Sequence, residues 1–260
     1  MKPGFMSSVC PKQTLGQLIE TAKQYGYQGI EFRVEWDHRH GIELDASAAQ
    51  LDAARRALAD NGLVASCIAT SVRFNSPDRA AHLPQRETLR RYIDLAATVG
   101  AQYIRTFSDS LPEEDAEARE QVMRLAAESY ASVDDWAGEH GVEVLVETHT
   151  NMRAHWAMQI LDQADARQLQ VLWHIGHHLR RGQSVEEAYR YLRGHVRHVH
   201  FTARPDDEEV SDADNQRMFD LLAADGFAGF MSVEIINPED PAAVLELHMR
   251  KYQAYMEAID

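Results

Sequence analysis

The sequence is poor in cysteine: its 260 residues include only two, Cys10 and Cys67. So few cysteines exclude a disulfide-dense scaffold, and the two do not make a cysteine-rich metal cluster. Both lie in apolar segments typical of strands. We interpret them as buried free thiols, which are typical of a reducing cytoplasm.

Basic residues are also scarce, since 26 Lys and Arg face 41 Asp and Glu and give a formal charge of -15. A field of that sign repels a phosphate backbone. The composition therefore predicts that nucleic acid is not a partner of this protein.

Long apolar runs are missing. No stretch of the sequence approaches the roughly 20 apolar residues that a membrane span needs. The first residues, 1–5, lack the apolar region of a secretion signal. We expect no membrane association and a cytoplasmic location.

What the sequence does contain is a recurring unit: an amphipathic helix, a glycine that ends it, and a short apolar strand. The helix-ending glycines are Gly26, Gly62, Gly100, Gly141, Gly194 and Gly226. The predicted strands are Gly4–Val9, Gln28–Val34, Leu63–Thr70, Gln102–Phe107, Val142–Thr148, Leu169–His174, Val196–Thr202 and Ala228–Ile235.

Strands that alternate with helices favour parallel pairing, because each return to the sheet needs a crossover. Eight βα units need about 250 residues, which fits the length of this chain. An open doubly wound sheet usually has a glycine-rich phosphate loop after its first strand, and residues 7–11 are not one. The sequence therefore predicts an α/β fold, a (β/α)8 TIM barrel forming a single domain over residues 1–260.

Metal-ligand residue types end four successive predicted strands: Glu147, His174, His200 and Glu234. Catalytic groups of such barrels come from the C-terminal ends of strands. Two carboxylates and two imidazoles form a mixed oxygen and nitrogen set that suits one divalent ion, Mn²⁺, Co²⁺, Fe²⁺ or Zn²⁺. We predict a metal centre at this end of the barrel.

These residues also support a family resemblance. The sequence resembles the sugar phosphate isomerase/epimerase family, a group of xylose-isomerase-like TIM barrels, along essentially the whole chain. The segments that bear the resemblance are Gly29–Arg33, Tyr103–Phe107, Val146–His149, His174–His177 and His198–His200. The resemblance implies metal ligands at Glu147, His174, His200 and Glu234, and a substrate contact at His177.

Two positions depart from the family pattern. His174 stands where the family has Asp, which leaves two carboxylates for the ion. Alternatively His174 does not reach the metal, His177 replaces it, or the site has lost its metal. After the seventh strand, Thr202-Ala203 replaces a Lys-Asp pair of many relatives, and our hypothesis gives any role of that lysine to Arg204.

The function implied is a metal-dependent isomerase or epimerase of a carbohydrate-like small molecule, in which Glu147 and Glu234 form the acid/base pair. Other polar residues at strand ends are candidates for substrate binding: His177, His149, Arg105, Arg33, Arg204 and Glu31. For each arginine, a salt bridge to a barrel carboxylate is the alternative. We interpret His198 as a structural residue of the barrel wall.

Three other functions compete with this interpretation. Glu147–Asn151 also resembles the corresponding stretch of 3-dehydroshikimate dehydratases. A repair nuclease of the endonuclease IV type shares the barrel, but it needs more ligands than we can place and a less acidic protein. A non-catalytic barrel without metal is the third. Dimers and tetramers are common among relatives, so a homo-oligomer is an expectation by analogy.

Overall fold

The computed structural model describes residues 1–203 and 210–259. Its strands are β1 (Lys2–Met6), β2 (Gly29–Arg33), β3 (Val64–Arg73), β4 (Tyr103–Phe107), β5 (Glu143–Glu147), β6 (Leu169–His174), β7 (Val196–Phe201) and β8 (Phe230–Val233). They form a closed parallel barrel in sequence order, with β1 paired to β8. The predicted (β/α)8 barrel is confirmed.

Helices follow the strands around the outside of the barrel. They are α1 (Leu15–Tyr25), α2 (Ala48–Asp60), α3 (Arg79–Val99), α4 (Ala116–Ala131), α5 (Asp134–Glu139), α6 (Ala154–Ala164), α7 (Ile175–Leu179), α8 (Val185–Leu192), α9 (Asp212–Ala224) and α10 (Pro241–Glu257). Three of the described helices begin with a capping box, at Thr14, Ser47 and Ser211, in which a hydroxyl accepts from the N3 amide.

The predicted apolar helix faces pack against the barrel. Leu18 and Ile19 of α1 are buried, as are Tyr92 and Ile93 of α3. Gly100 ends α3 in the left-handed conformation at φ 83°, which a glycine adopts without steric cost. The other predicted helix-ending glycines also have positive φ.

Two strands end three residues away from their predicted C-terminal limits, and the other predicted strand limits agree within two residues. The first strand ends at Met6 instead of Val9, because Ser7–Val9 forms a 3-10 turn in which the Cys10 amide donates to the Ser7 carbonyl at 3.0 Å. The third strand continues to Arg73, which pairs with Phe107 of β4.

The remaining expectations from composition concern thiols and membranes. Cys10 and Cys67 are both free and buried, as predicted. Within residues 1–203 and 210–259, no helix is long and apolar enough to cross a bilayer.

A tight contact at Gly229, just before β8, gives a first testable prediction. A Cβ there would lie 2.3 Å from the Arg197 carbonyl oxygen and 2.4 Å from the Phe227 ring. Because a backbone oxygen cannot swing aside, we expect Gly229→Ala to lower the free energy of unfolding by about 1–3 kcal/mol, measured by urea denaturation.

Gly16 in α1 provides the matched control. A Cβ at this position meets nothing within 4 Å, and alanine is the better helix former. We expect Gly16→Ala to be neutral or slightly stabilising. A Gly229→Ala protein as stable as Gly16→Ala would show that β7 and β8 can separate at no cost.

Candidate metal centre

The last four strands bring the four predicted ligands to one end of the barrel. Glu147 and His174 are the last residues of β5 and β6, and Glu234 directly follows β8. In the β6·β7 register His174 lies opposite His200. The parallel strands thus place two carboxylates and two imidazoles at the C-terminal mouth.

Three of these side chains form a tight cluster. His200 Nδ1 lies 3.2 Å from Glu147 Oε1 and 3.1 Å from Glu234 Oε2. One ligand atom from each of the three residues lies within 4.8 Å of the others. His174 stands beside the cluster, with Nε2 3.3 Å from Glu234 Oε2. Because it contacts only one member, its coordination of the ion stays a prediction.

The cluster brings ionisable side chains close together inside the protein, so each shifts the pKa of its neighbours. Burial alone would raise the pKa of Glu147, but His200 and Arg105 outweigh it and the pKa is lowered. Burial would lower the pKa of His200, whereas Glu234, Glu31 and Glu147 together raise it well above its ordinary value. Burial would raise the pKa of Glu234, but the neighbouring His200 and His174 lower it.

This donor set fits a divalent cation. Oxygens of the buried Glu147 and the partly exposed Glu234 converge on one imidazole nitrogen, a mixed set suited to Mn²⁺, Co²⁺, Fe²⁺ or Zn²⁺. A ligating imidazole almost always donates its other N–H to an acceptor. His200 has one, since its Nε2 lies 3.1 Å from Glu31 Oε1. His174 Nδ1 is buried without a hydrogen-bond partner among the described residues.

Two of the three predicted substrate-binding arginines, Arg33 and Arg105, are engaged by the protein itself. Arg105 Nη1 donates to Glu147 Oε2 at 3.1 Å, and both side chains are buried. Arg33 donates to the Val34 and Ala69 carbonyls at 2.6 and 2.9 Å, and burial, assisted by Arg105, lowers its pKa to about 10. Of the two interpretations of Arg105, substrate binding and a salt bridge to a barrel carboxylate, the salt bridge is the one that the structure contains.

A cavity of about 360 Å³ opens above the cluster. It is lined by His149, His174, His177, Arg180, Thr202, Glu234, Ile235 and Ile236. Two of the predicted substrate contacts, His149 and His177, thus face this space. Arg204, another of the predicted substrate contacts, lies outside the described residues.

Two of the three histidines that line the cavity, His149 and His177, have pKa values shifted in opposite directions. Burial and the neighbouring His174 lower the pKa of His177 to about 2. Burial would also lower the pKa of His149, but its hydrogen bond to Asp109 and nearby carboxylates raise it. His149 Nδ1 lies 2.8 Å from Asp109 Oδ2. His149 is therefore the better proton donor of the two.

A profile of the xylose isomerase-like TIM barrel family matches residues 19–254. The chain belongs to this family. No protein among those with curated functions matches the sequence.

Solved structures share the fold of this xylose isomerase-like barrel. An L-ribulose 3-epimerase is 19% identical, with 98% of this chain and 94% of that chain covered at a TM-score of 0.79. The probable 3-DHS dehydratase AsbF of Bacillus anthracis is 16% identical, with 97% and 99% covered at 0.76. The IOLI protein, solved with a binding zinc atom, is 17% identical, with 98% and 96% covered at 0.75. At these identities the likeness establishes the fold.

Two features of this xylose isomerase-like barrel differ from expectation: Asp109 beside His149 was not predicted, and Glu31, expected among the substrate contacts, is fully buried. Asp109, which holds His149, follows β4 at a strand end, so the signal used for the ligands could have found it. Glu31 and His198 lie below the cluster, with His198 Nε2 2.9 Å from Glu31 Oε2. His198 was expected in the barrel wall, and it is buried and bonded to Glu31.

Proposed function

We propose that this protein is a divalent-metal-dependent isomerase or epimerase of a sugar, keto-sugar or related hydroxy-carbonyl compound. The observation that carries the proposal is the convergence of Glu147 and Glu234 on His200 Nδ1 at 3.2 and 3.1 Å, beneath an open cavity. Epimerases and a dehydratase among the structures of the same fold are consistent with it.

Glu147, His200 and Glu234 would hold the ion, with His174 as the fourth candidate. When bound there, a divalent ion polarises a substrate carbonyl and acidifies the neighbouring C–H. Glu234 lines the cavity and its side chain is 16% exposed, so it can reach a substrate carbon directly. Glu147 is fully buried and its oxygens contact Arg105 and His200.

In this mechanism one glutamate removes the proton next to the carbonyl and the other returns a proton. Return to the opposite face of the same carbon gives the epimer, and transfer to the adjacent carbon gives the isomer. His149 and His177 line the cavity, where their ring nitrogens can bind substrate hydroxyls.

A dehydratase of the 3-dehydroshikimate type is the second candidate. The His149–Asp109 pair favours it, because a histidine of raised pKa beside the cavity can protonate a departing hydroxyl. Proton abstraction by a glutamate and loss of that hydroxyl as water then give a carbon–carbon double bond.

Solvent exchange separates these functions. Metal-free protein is reconstituted with Mn²⁺, Co²⁺, Fe²⁺ or Zn²⁺ and incubated in D₂O with ketopentoses, ketohexoses, their phosphates and 3-dehydroshikimate. We expect deuterium to enter one keto-sugar at a carbon next to the carbonyl, detected by proton NMR. A conjugated product with strong ultraviolet absorbance would identify the dehydratase instead.

The Glu147→Gln, Glu234→Gln double variant is the control for both metal and chemistry. We expect elemental analysis to find near-stoichiometric metal in the wild type and its loss in the double variant. Absence of metal and of deuterium exchange in the wild type, even after reconstitution, would leave a non-catalytic barrel as the better interpretation.

A further inference from the structure

A second buried polar cluster lies below the candidate metal centre, with Glu31 of β2 at its middle. Glu31 Oε1 lies 3.1 Å from His200 Nε2, while Oε2 lies 2.9 Å from His198 Nε2 and accepts from Ser232 Oγ at 2.6 Å. All four side chains are fully buried. The carboxylate therefore spans the barrel interior from β2 to β7 and β8.

The chemistry of this cluster determines where the hydrogen of His200 resides. An ionised carboxylate only accepts hydrogen bonds, so His200 must present Nε2–H to Glu31. Its Nδ1 lies on the opposite side of the ring, where it faces Glu147 and Glu234 at 3.2 and 3.1 Å and would give up its hydrogen to a bound cation. One side chain thus selects the nitrogen that faces the candidate site.

We propose that Glu31 is a positioning residue of the metal centre, which fixes His200 in the Nε2–H tautomer and directs Nδ1 to the cation. The inference rests on the proposed metal site and deepens it. Glu31 does not touch the substrate, because it is fully buried and lies beneath His200 instead of lining the cavity.

The two ends of the carboxylate have separate functions in this arrangement. Oε1 holds the ring of His200, whereas His198 and Ser232 hold Oε2 and prevent the carboxylate from rotating. Acceptors behind a ligating imidazole orient the ring and raise its basicity, and their loss typically weakens metal binding by about 10- to 100-fold.

The test is Co²⁺ affinity, measured by visible absorption titration of metal-free protein. Glu31→Leu removes both acceptors, and Glu31→Gln keeps the shape but leaves one acceptor for two imidazoles. We expect Co²⁺ binding to weaken by about 10- to 100-fold in Glu31→Leu and by less in Glu31→Gln. Ser232→Ala removes only one of the two bonds to Oε2, so we expect it to weaken Co²⁺ binding less than either Glu31 variant.

A second readout reports the tautomer directly. In zinc-loaded protein with ¹⁵N-labelled histidine, two-bond proton–nitrogen spectra should show His200 bound through Nδ1 and protonated at Nε2. If Glu31→Leu fails to fold, Glu31→Gln and the wild-type spectrum still decide the question. Coordination of His200 through Nε2, or equal Co²⁺ affinity in Glu31→Gln and Ser232→Ala, would overturn the inference.

These results are distinguishable from failure of the proposed function. Wild-type protein that binds Co²⁺ but exchanges no substrate proton contradicts the isomerase or epimerase and leaves the positioning of His200 intact. Wild-type protein that binds no Co²⁺ overturns both. Tight binding in wild type and in all Glu31 variants overturns the inference alone.

Discussion

Glu234→Gln and Glu147→Gln are each expected to lower kcat of the metal-saturated protein by about 100- to 10,000-fold, because each removes one of the two groups that move the proton. Glutamine keeps an oxygen near the ion but cannot accept a proton at neutral pH. The measurement is the turnover of the keto-sugar found in the exchange screen, with metal content determined on the same samples.

Glu143→Gln is the matched control for these two variants. Glu143 begins the same strand that Glu147 ends, and it pairs with Arg197 at 3.4 Å away from the mouth. We expect its kcat to equal that of the wild type. If excess metal restores either active-site variant to near wild-type turnover, the glutamate is a ligand only and the acid/base assignment is wrong.

The barrel could be predicted because its signals are local. Six of the eight strands are short apolar runs after a helix-ending glycine, and the apolar faces of α1 and α3 follow the helical period. The strand limits were less predictable. Ser7–Val9 continues the first strand without a turn residue and ends on the β-branched Val9, but a hydrogen bond from the Cys10 amide to the Ser7 carbonyl turns it into a 3-10 helix.

The ligand cluster was predictable for a related reason: residues at the ends of parallel strands meet at one mouth. The depth at which each side chain lies inside the barrel was not predictable. Alternation puts His198 and His200 on the same side of β7, yet only the register and the reach of Glu31 across the barrel show that one faces the cavity and the other lies below it.

The arginines illustrate a different limit. Sequence alone left Arg105 equally suited to a substrate and to a barrel carboxylate, because both carry negative charge. The structure buries Arg105 at 3.1 Å from Glu147. Its guanidinium is thus a fixed counter-charge in a region that also holds Glu234 and Glu31, and its removal has a predictable cost.

Arg105→Met is therefore expected to destabilise the metal-free protein at pH 7 by about 3–5 kcal/mol, the usual cost of leaving one partner of a buried ion pair uncompensated. The free energy of unfolding from urea denaturation measures it. Arg79→Met is the control, since Arg79 forms an exposed pair with Glu128 and such pairs contribute little.

The pH dependence identifies the cause of this loss. Arg105 helps to lower the folded pKa of Glu147, so its contribution is present above the unfolded pKa of about 4.5 and disappears as pH falls through the folded value. The difference in unfolding free energy between wild type and Arg105→Met should stay nearly constant from pH 7 to about pH 5 and narrow as the pH falls further towards the lowered folded pKa of Glu147. Saturating Mn²⁺ should also narrow this difference in unfolding free energy, because the cation replaces the missing charge beside Glu147. A gap that stays constant under both changes would mean that Arg105 stabilises the barrel by packing on Phe107, 4.2 Å from its guanidinium, and not by its charge.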